Sequence, residues 1–195
     1  LLGTKSGRKI GGEALKLGGM AAVGALAYKA YQDWQASKQV IPPQEVAKER
    51  SVPVLPAPSG TPFNPATEFG QQTLARHLLR AMIATAKADG HVDAQEQDRI
   101  FAEINKLPLS ADDKAFVMDE LCAKLDIDTV AGAATNLEEA TEIYAASLLA
   151  VDVDSAAERG YLALLAARLK LDDALVEHLH GKVAEATGKS VPIAA

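Results

Sequence analysis

Helix-start signals recur along residues 67–195, and they constrain the fold of this chain more than any other feature of its sequence. In a capping box, a short polar side chain accepts a hydrogen bond from the backbone N–H three residues later, where an acidic residue reaches back. Four such boxes stand at Asp93-x-x-Glu96, Ser110-x-x-Asp113, Asn136-x-x-Glu139 and Ser155-x-x-Glu158. Asp172 marks a fifth start, and its helix is predicted to end near Gly188.

The predicted fold class is all-α. The four boxes predict helices that end near Lys106, Leu125, Val151 and Lys170. An earlier helical stretch, residues 67–89, places Leu74, Leu78, Met82 and Ile83 on one stripe, with Ala81 and Ala84 beside it. Aromatic residues make up only 5% of the chain, and no stretch shows sustained strand alternation. We therefore expect a compact bundle of about six or seven helices.

The N-terminal segment, residues 1–38, is glycine-rich and apolar. Its uninterrupted apolar run, Leu17 to Tyr28, has 12 residues, whereas a membrane-spanning helix needs about 20. Extending the run from Ile10 to Tyr31 reaches that length but includes three charged residues. The segment is predicted to be a membrane-associated helix and a single N-terminal anchor, with an amphipathic or flexible tail as the alternative. Lysines and arginines flank both sides, so the orientation stays open.

Small residues recur in the same segment at the spacing that lets two helices approach closely in lipid. This pattern predicts self-association, and so a homo-oligomer, through a glycine-rich helix. The residues assigned to that contact are Gly11, Ala14, Gly18, Ala22 and Ala25.

A proline-rich segment, residues 39–66, follows and holds seven of the nine prolines. Proline removes a backbone donor and disfavours helix in the residue before it, so we expect an extended, poorly packed spacer. The predicted organisation is an anchor over 1–38, a linker over 39–66 and a helical domain over 67–195.

Charge is unevenly distributed along the chain. Residues 1–62 have eight Lys/Arg and four Asp/Glu, and residues 63–195 have twelve and twenty-two. An acidic domain repels phosphate backbones, so nucleic acid is excluded as a partner of the helical domain. The single cysteine, Cys122, is predicted to pack as a small buried hydrophobe.

Acidic residues gather in two turns that the sequence arranges alike, one at residues 89–96 and one at residues 152–158. The first turn lacks the glycine and the final glutamate of an EF-hand loop, so that motif is excluded. If the two turns lie side by side, their carboxylates suit a hard cation such as Ca²⁺ or Mg²⁺. The alternative is that these side chains only cap helices. The candidate ligands are Asp89, Asp93, Glu96, Asp152, Asp154 and Glu158.

The stretch ADG-x-V-D-x-x-E, from Ala88 to Glu96, resembles the tellurite-resistance TerB-like domain, and AVDVDSAAERGYL at residues 150–162 agrees with it. The N-terminal GGEALKLGGMAAVGALAYKAYQDWQ is similar to the YebE-like family of bacterial inner-membrane proteins of unknown function. The resemblance implies an all-helical fold and a bacterial envelope or inner-membrane location. It implies no enzymatic activity, and it associates the domain with metal-related stress and metal binding at acidic residues.

Catalytic signatures are missing from the sequence: HExxH, GxSxG, Walker A and the dinucleotide glycine pattern do not occur. The leading hypothesis is a non-catalytic, membrane-tethered helical module that binds an unidentified protein partner in an envelope or metal-stress response. The alternative is a divalent-cation sensor that uses the two acidic turns. No cofactor other than such a cation is expected.

Overall fold

The computed structural model describes residues 20–38, 57–88, 110–150 and 156–188, and within them it contains helices and no strand. The predicted all-α class is confirmed. The helices of the described residues are α1 Met20–Lys38, α2 Glu68–Ala86, α3 Ala111–Cys122, α4 Ile127–Gly132, α5 Leu137–Ala150, α6 Ala156–Arg168 and α7 Asp173–Thr187.

Helix α5 forms the centre of the bundle. Every residue from 140 to 150 is buried, because α1, α2, α6 and α7 pack around it. A helix that is covered on all sides needs small and apolar residues over most of its surface, and the alanines of α5 supply them. The neighbouring α2 presents its predicted stripe to the core, with Leu78, Met82 and Ile83 buried.

The helix-start predictions that fall on described residues are confirmed. Ser110 accepts a hydrogen bond from the Asp113 N–H at 3.1 Å and begins α3. Asn136 accepts one from the Glu139 N–H at 2.8 Å and begins α5. Asp172 caps α7. These boxes act locally, so short sequence windows are enough to place the helix starts.

Two predicted helix ends differ from the structure. Helix α3 ends at Cys122 because Ala123 is extended, with φ −62° and ψ 154°. Helix α6 ends at Arg168, and Lys170 has φ 55°. The Leu171 N–H then donates to the Ala166 carbonyl, which satisfies the end of the helix.

Helix α1 is part of the bundle. It packs on α5 and α7, and Val23, Ala27 and Ala30 on its inner face are fully buried. No helix in the described part of the chain is long and apolar enough to cross a membrane. The predicted single N-terminal anchor is therefore corrected, and so is the inner-membrane location that rested on it. The apolar residues of α1 are buried against protein.

The end of the proline-rich segment, residues 57–66, also packs on the bundle. Phe63 is buried, and its ring centroid lies 5.5 Å from those of Tyr28 and Tyr31 on α1. The Asn64 side chain donates to the Ala57 carbonyl at 2.9 Å and closes the turn. This stretch was expected to be poorly packed, and instead it connects α1 to the core.

Cys122 is exposed, which corrects its prediction as a buried residue. Among the residues of α3, only Val117 and Leu121 are buried. The next residue along a helix points about 100° away. Cys122, directly after Leu121, therefore faces solvent.

Candidate functional site

An open cleft of about 260 Å³ lies between α2, α3 and α4. Its apolar wall contains Ile83 and Ala84 from α2 and Val130 from α4. All three side chains are buried, and Ala84 and Val130 belong to the main hydrophobic core. The other lining residues are Arg80, Lys87, Glu120, Ala123, Lys124, Leu125, Asp126 and Thr129.

Arg80 of α2 and Lys87, which directly follows α2, both contact the end of α3. Arg80 Nε donates to Glu120 Oε1 at 2.7 Å, and an Arg80 terminal nitrogen lies 2.5 Å from the same oxygen. Lys87 Nζ donates to the backbone carbonyl of Glu120 at 3.0 Å and to that of Ala123. Burial lowers the pKa of Lys87, while the Glu120 carboxylate raises it. These contacts satisfy carbonyls at the end of α3 and connect it to α2 along one side of the cleft.

The rim between α3 and α4 is held by Asp126. Its carboxylate accepts from the N–H groups of Asp128 and Thr129 at 3.0 and 3.2 Å and from the Thr129 hydroxyl at 2.7 Å. The hydrogen bond from the Thr129 side chain is the main reason that the pKa of Asp126 is lowered. Beside it, Leu125 is 42% exposed, and Lys124 is exposed and makes no ion pair within the described ranges. The rim thus offers an apolar group and a cation.

A second polar feature lies on α5, where α1 packs against it. Glu142 is only 1% exposed, and its Oε2 has no hydrogen-bond partner among the described residues. Glu142 Oε1 and the Phe63 carbonyl oxygen each lie 2.9 Å from the point where a Cβ on Gly24 would stand. Only glycine at this position of α1 leaves room for both oxygens.

Burial keeps the Glu142 carboxyl neutral. Desolvation, with a smaller contribution from the nearby Glu139 carboxylate, raises the pKa of Glu142 to about 9. A protonated carboxyl costs far less to bury than a carboxylate, which explains how it remains in the core. Its place between α1 and α5 makes the packing of α1 sensitive to this proton.

Sequence reasoning missed Glu142. Its neighbours Glu138 and Glu139 are only partly buried, and the run LEEATE suggests a solvated helix start. The helical spacing of the sequence could have identified Glu142 as a core residue. At that spacing Glu142 shares a face of α5 with Ala145, Ala146 and Leu149, which are all buried.

Two of the four histidines, His178 and His180, lie two positions apart on α7. His180 is buried, and its Nε2 lies 3.0 Å from the Tyr144 hydroxyl of α5. His178 Nδ1 lies 2.6 Å from the Ala174 carbonyl, near the surface. The two rings lie on different faces of the helix and do not share a site.

The candidate cation ligands fall mainly outside the described residues. Asp89, Asp93, Glu96, Asp152 and Asp154 lie there, so the proximity of the two acidic turns stays a prediction. Glu158 is described and is buried in α6. Among residues 20–38, 57–88, 110–150 and 156–188, no three His, Cys, Asp or Glu side chains form a metal-binding group.

Some of the small residues assigned to self-association also lie outside the described residues. Gly11, Ala14 and Gly18 lie outside the described residues. Ala22 is partly buried, and Ala25 is 4% exposed. Ala25 therefore already contacts the chain's own bundle.

Comparison with known proteins places the chain among uncharacterised relatives. An uncharacterized protein in the ampR 5' region of Yersinia enterocolitica is 31% identical over 109 residues, which cover 53% of this chain and 78% of the relative. No solved structure matches the chain. Residues 1–183 match the model of a family described as "Protein of unknown function (DUF533)". Since that match covers more than half of the sequence, the chain belongs to the DUF533 family.

Proposed function

We propose that this chain is a non-catalytic helical interaction module that binds a segment of a protein partner in the cleft between α2, α3 and α4. The observation that carries the proposal is the combination on the cleft's rim of an exposed Leu125 and an exposed Lys124, above a wall of buried apolar side chains. An apolar anchor beside a few oriented polar groups is the usual form of a recognition pocket.

The charges indicate the chemistry of the bound segment. Arg80, Lys87 and Lys124 are gathered on a domain that is otherwise acidic. Arg80 and Lys87 already have partners on α3, which leaves Lys124 to attract a carboxylate. The partner segment therefore has an apolar side chain for the wall near Val130 and an acidic side chain for Lys124.

The family supports a module without a known reaction, because its description assigns none. The finer resemblance to TerB-like and YebE-like proteins rests on residues 88–96, 150–162 and the N-terminal string, and it supports a role in an envelope or metal-stress response. The membrane tether expected from that resemblance forms no part of the proposal.

Site-specific photo-crosslinking in the source cells tests the proposal. A photo-reactive amino acid replaces Leu125 in one full-length variant and Leu164 in a matched control. Leu164 lies on α6 and is 46% exposed, close to the 42% of Leu125. We expect a discrete crosslinked partner from position 125 and none from position 164. Adding Lys124→Glu to the Leu125 variant should reduce that product at least several-fold.

Two outcomes of the crosslinking experiment would contradict the proposal. Equal products from positions 125 and 164 would indicate nonspecific contact, and no product from position 125 would leave the cleft without a partner. Either result overturns the proposal. A product at position 125 that persists with Lys124→Glu rejects the acidic partner segment.

A further inference from the structure

Lys124 and Leu125, here called the recognition rim, form the short connection between α3 and α4. Helix α3 ends at Cys122, and Asp126 begins α4 as its N-cap. Within the described ranges, neither Lys124 nor Leu125 makes a hydrogen bond or an ion pair of its own. The position of the recognition rim therefore depends on the residues that hold its two ends.

The end of the recognition rim next to α4 is held by contacts that are local in the sequence. The Asp126 carboxylate accepts hydrogen bonds from the N–H groups of Asp128 and Thr129 and, at 2.7 Å, from the Thr129 hydroxyl. Because these donors lie in the first turn of α4, the helix cap fixes this end without help from another helix.

The end of the recognition rim next to α3 is held from outside α3. Lys87, which directly follows α2, donates through Nζ to the Glu120 carbonyl at 3.0 Å and to the Ala123 carbonyl. Carbonyls at the end of a helix lack an N–H partner within that helix, and an ammonium group has enough donors for both. Since the Ala123 carbonyl belongs to the peptide bond that leads into Lys124, this contact fixes the backbone where the recognition rim begins.

The neighbouring contact of Arg80 acts on a different part of α3. Arg80 Nε donates to the Glu120 carboxylate at 2.7 Å, which is a side chain within the helix. Lys87 instead binds backbone carbonyls, including the one directly before the recognition rim. Its charge makes these hydrogen bonds stronger than neutral ones and suits the negative end of the helix dipole. Lys87 thus has both the position and the charge to hold the recognition rim.

We propose that Lys87 is the positioning residue of the recognition rim and so controls partner binding at the cleft. Its positive charge holds the Ala123 carbonyl, and loss of that charge releases Lys124 and Leu125 from the edge of the cleft. Partner binding must then order both side chains again, which weakens it. This inference rests on the proposed function, because it assigns the regulation of the same site.

Backbone ¹⁵N relaxation of the full-length protein tests this role without a partner. In the wild type, the N–H groups of Lys124 and Leu125 should have order parameters of about 0.85, the value of rigid backbone. Lys87→Met removes the donor and should lower both values below about 0.6, which is typical of flexible backbone. Lys87→Gln is also uncharged, has the same expected result and is used if Lys87→Met does not fold.

Two further variants show whether the effect belongs to this contact. Lys87→Arg retains a cation with several N–H donors and should keep the recognition rim rigid. Arg80→Met removes the ion pair with Glu120 but leaves the contacts of Lys87 with the backbone. It should therefore also keep the recognition rim rigid.

Crosslinking from position 125 measures the consequence for binding. Lys87→Met is added to the full-length chain that has the photo-reactive amino acid at that position. The partner product should fall at least several-fold, whereas Lys87→Arg should leave it unchanged.

Three results would overturn the inference. One is a recognition rim that stays rigid in the uncharged variants of Lys87. Another is an equal loss of order in Arg80→Met or in Lys87→Arg, and the third is unchanged crosslinking in Lys87→Met despite a flexible rim. Absence of any crosslinked product while Lys87 is intact is a separate failure. It overturns the proposed function first, and the control of binding by Lys87 falls with it.

Discussion

Glu142 Oε1 lies 2.9 Å from the position that a Cβ on Gly24 would occupy, so these two residues fix how closely α1 approaches α5. The Phe63 carbonyl oxygen lies at the same distance from that point. The carboxyl end of Glu142 can shift, whereas the Phe63 carbonyl belongs to the backbone of a closed turn. The contact therefore tolerates glycine and resists any larger residue.

Gly24→Ala is expected to destabilise the protein by about 1–2 kcal/mol, measured by urea unfolding. Overpacking a close contact costs about 1–3 kcal/mol, and the better helix propensity of alanine returns up to about 1 kcal/mol. The matched control is Gly160→Ala in α6, where a new Cβ meets nothing within 4 Å. The control should be neutral or stabilising, by up to about 1 kcal/mol. If both variants shift stability alike, the close contact at Gly24 does not govern the packing of α1.

Glu142→Gln is expected to remove a pH dependence from the stability of the fold. The pKa of Glu142 is about 9 in the folded protein against 4.5 for the ordinary group, so between these values the folded state holds a proton that the unfolded state has lost. The stabilisation from this proton is fully present below pH 4.5 and is lost as pH rises through about 9. The wild type should lose up to about 1.4 kcal/mol per pH unit in that window.

The glutamine variant should show a flatter profile across the same window, because an amide does not ionise there. Below pH 4.5 it should be less stable than the wild type, by about 1–3 kcal/mol, since its extra N–H lacks an acceptor. Glu177→Gln, an exposed change on α7, serves as the control and should keep the wild-type slope. Parallel profiles for Glu142→Gln and the wild type would show that this carboxyl is not the titrating group.

The sequence was sufficient to predict helix starts, which depend only on residues that are close together in the chain. The hydrogen bond from the Asp113 N–H to Ser110 closes within one helical turn, so composition and spacing suffice to place it. The partner of α1 could not be predicted in this way. Trp34 meets Asp172 across 138 positions, and an apolar helix face suits a protein core as well as lipid.

The candidate site shows the same limit. The helical spacing places Glu142 on the buried face of α5, but its close contact with Gly24 involves a distant segment of the chain. The cleft likewise forms where α2 meets α3 and α4, and no single segment contains enough of its lining to indicate it. Sites assembled from distant segments require the tertiary structure.

Cys122 is expected to react rapidly with a thiol reagent in the folded protein. Its side chain is exposed at the end of α3, so the native rate should be comparable with the rate in denaturant. A buried thiol reacts only through opening of the fold and would be slower by orders of magnitude. The measurement is the kinetics of labelling with and without urea. Cys122→Ser should abolish labelling and leave the unfolding midpoint within about 0.5 kcal/mol of wild type.

The proposed cation site predicts that millimolar Ca²⁺ or Mg²⁺ raises the thermal midpoint of the full-length chain. A ligand that binds only the folded state stabilises it by RT ln(1 + [L]/Kd), which is about 2.7 kcal/mol at a hundredfold excess over Kd. The double variant Asp89→Asn with Asp152→Asn tests the predicted ligands, because it removes one carboxylate from each acidic turn and leaves the predicted capping residues Asp93 and Ser155 intact. The shift should disappear in this variant and persist with the exposed change Glu177→Gln. The cation site is rejected if the thermal midpoint does not move at saturating cation, or if it moves equally in the double variant. The acidic residues of the two turns would then act only as helix caps.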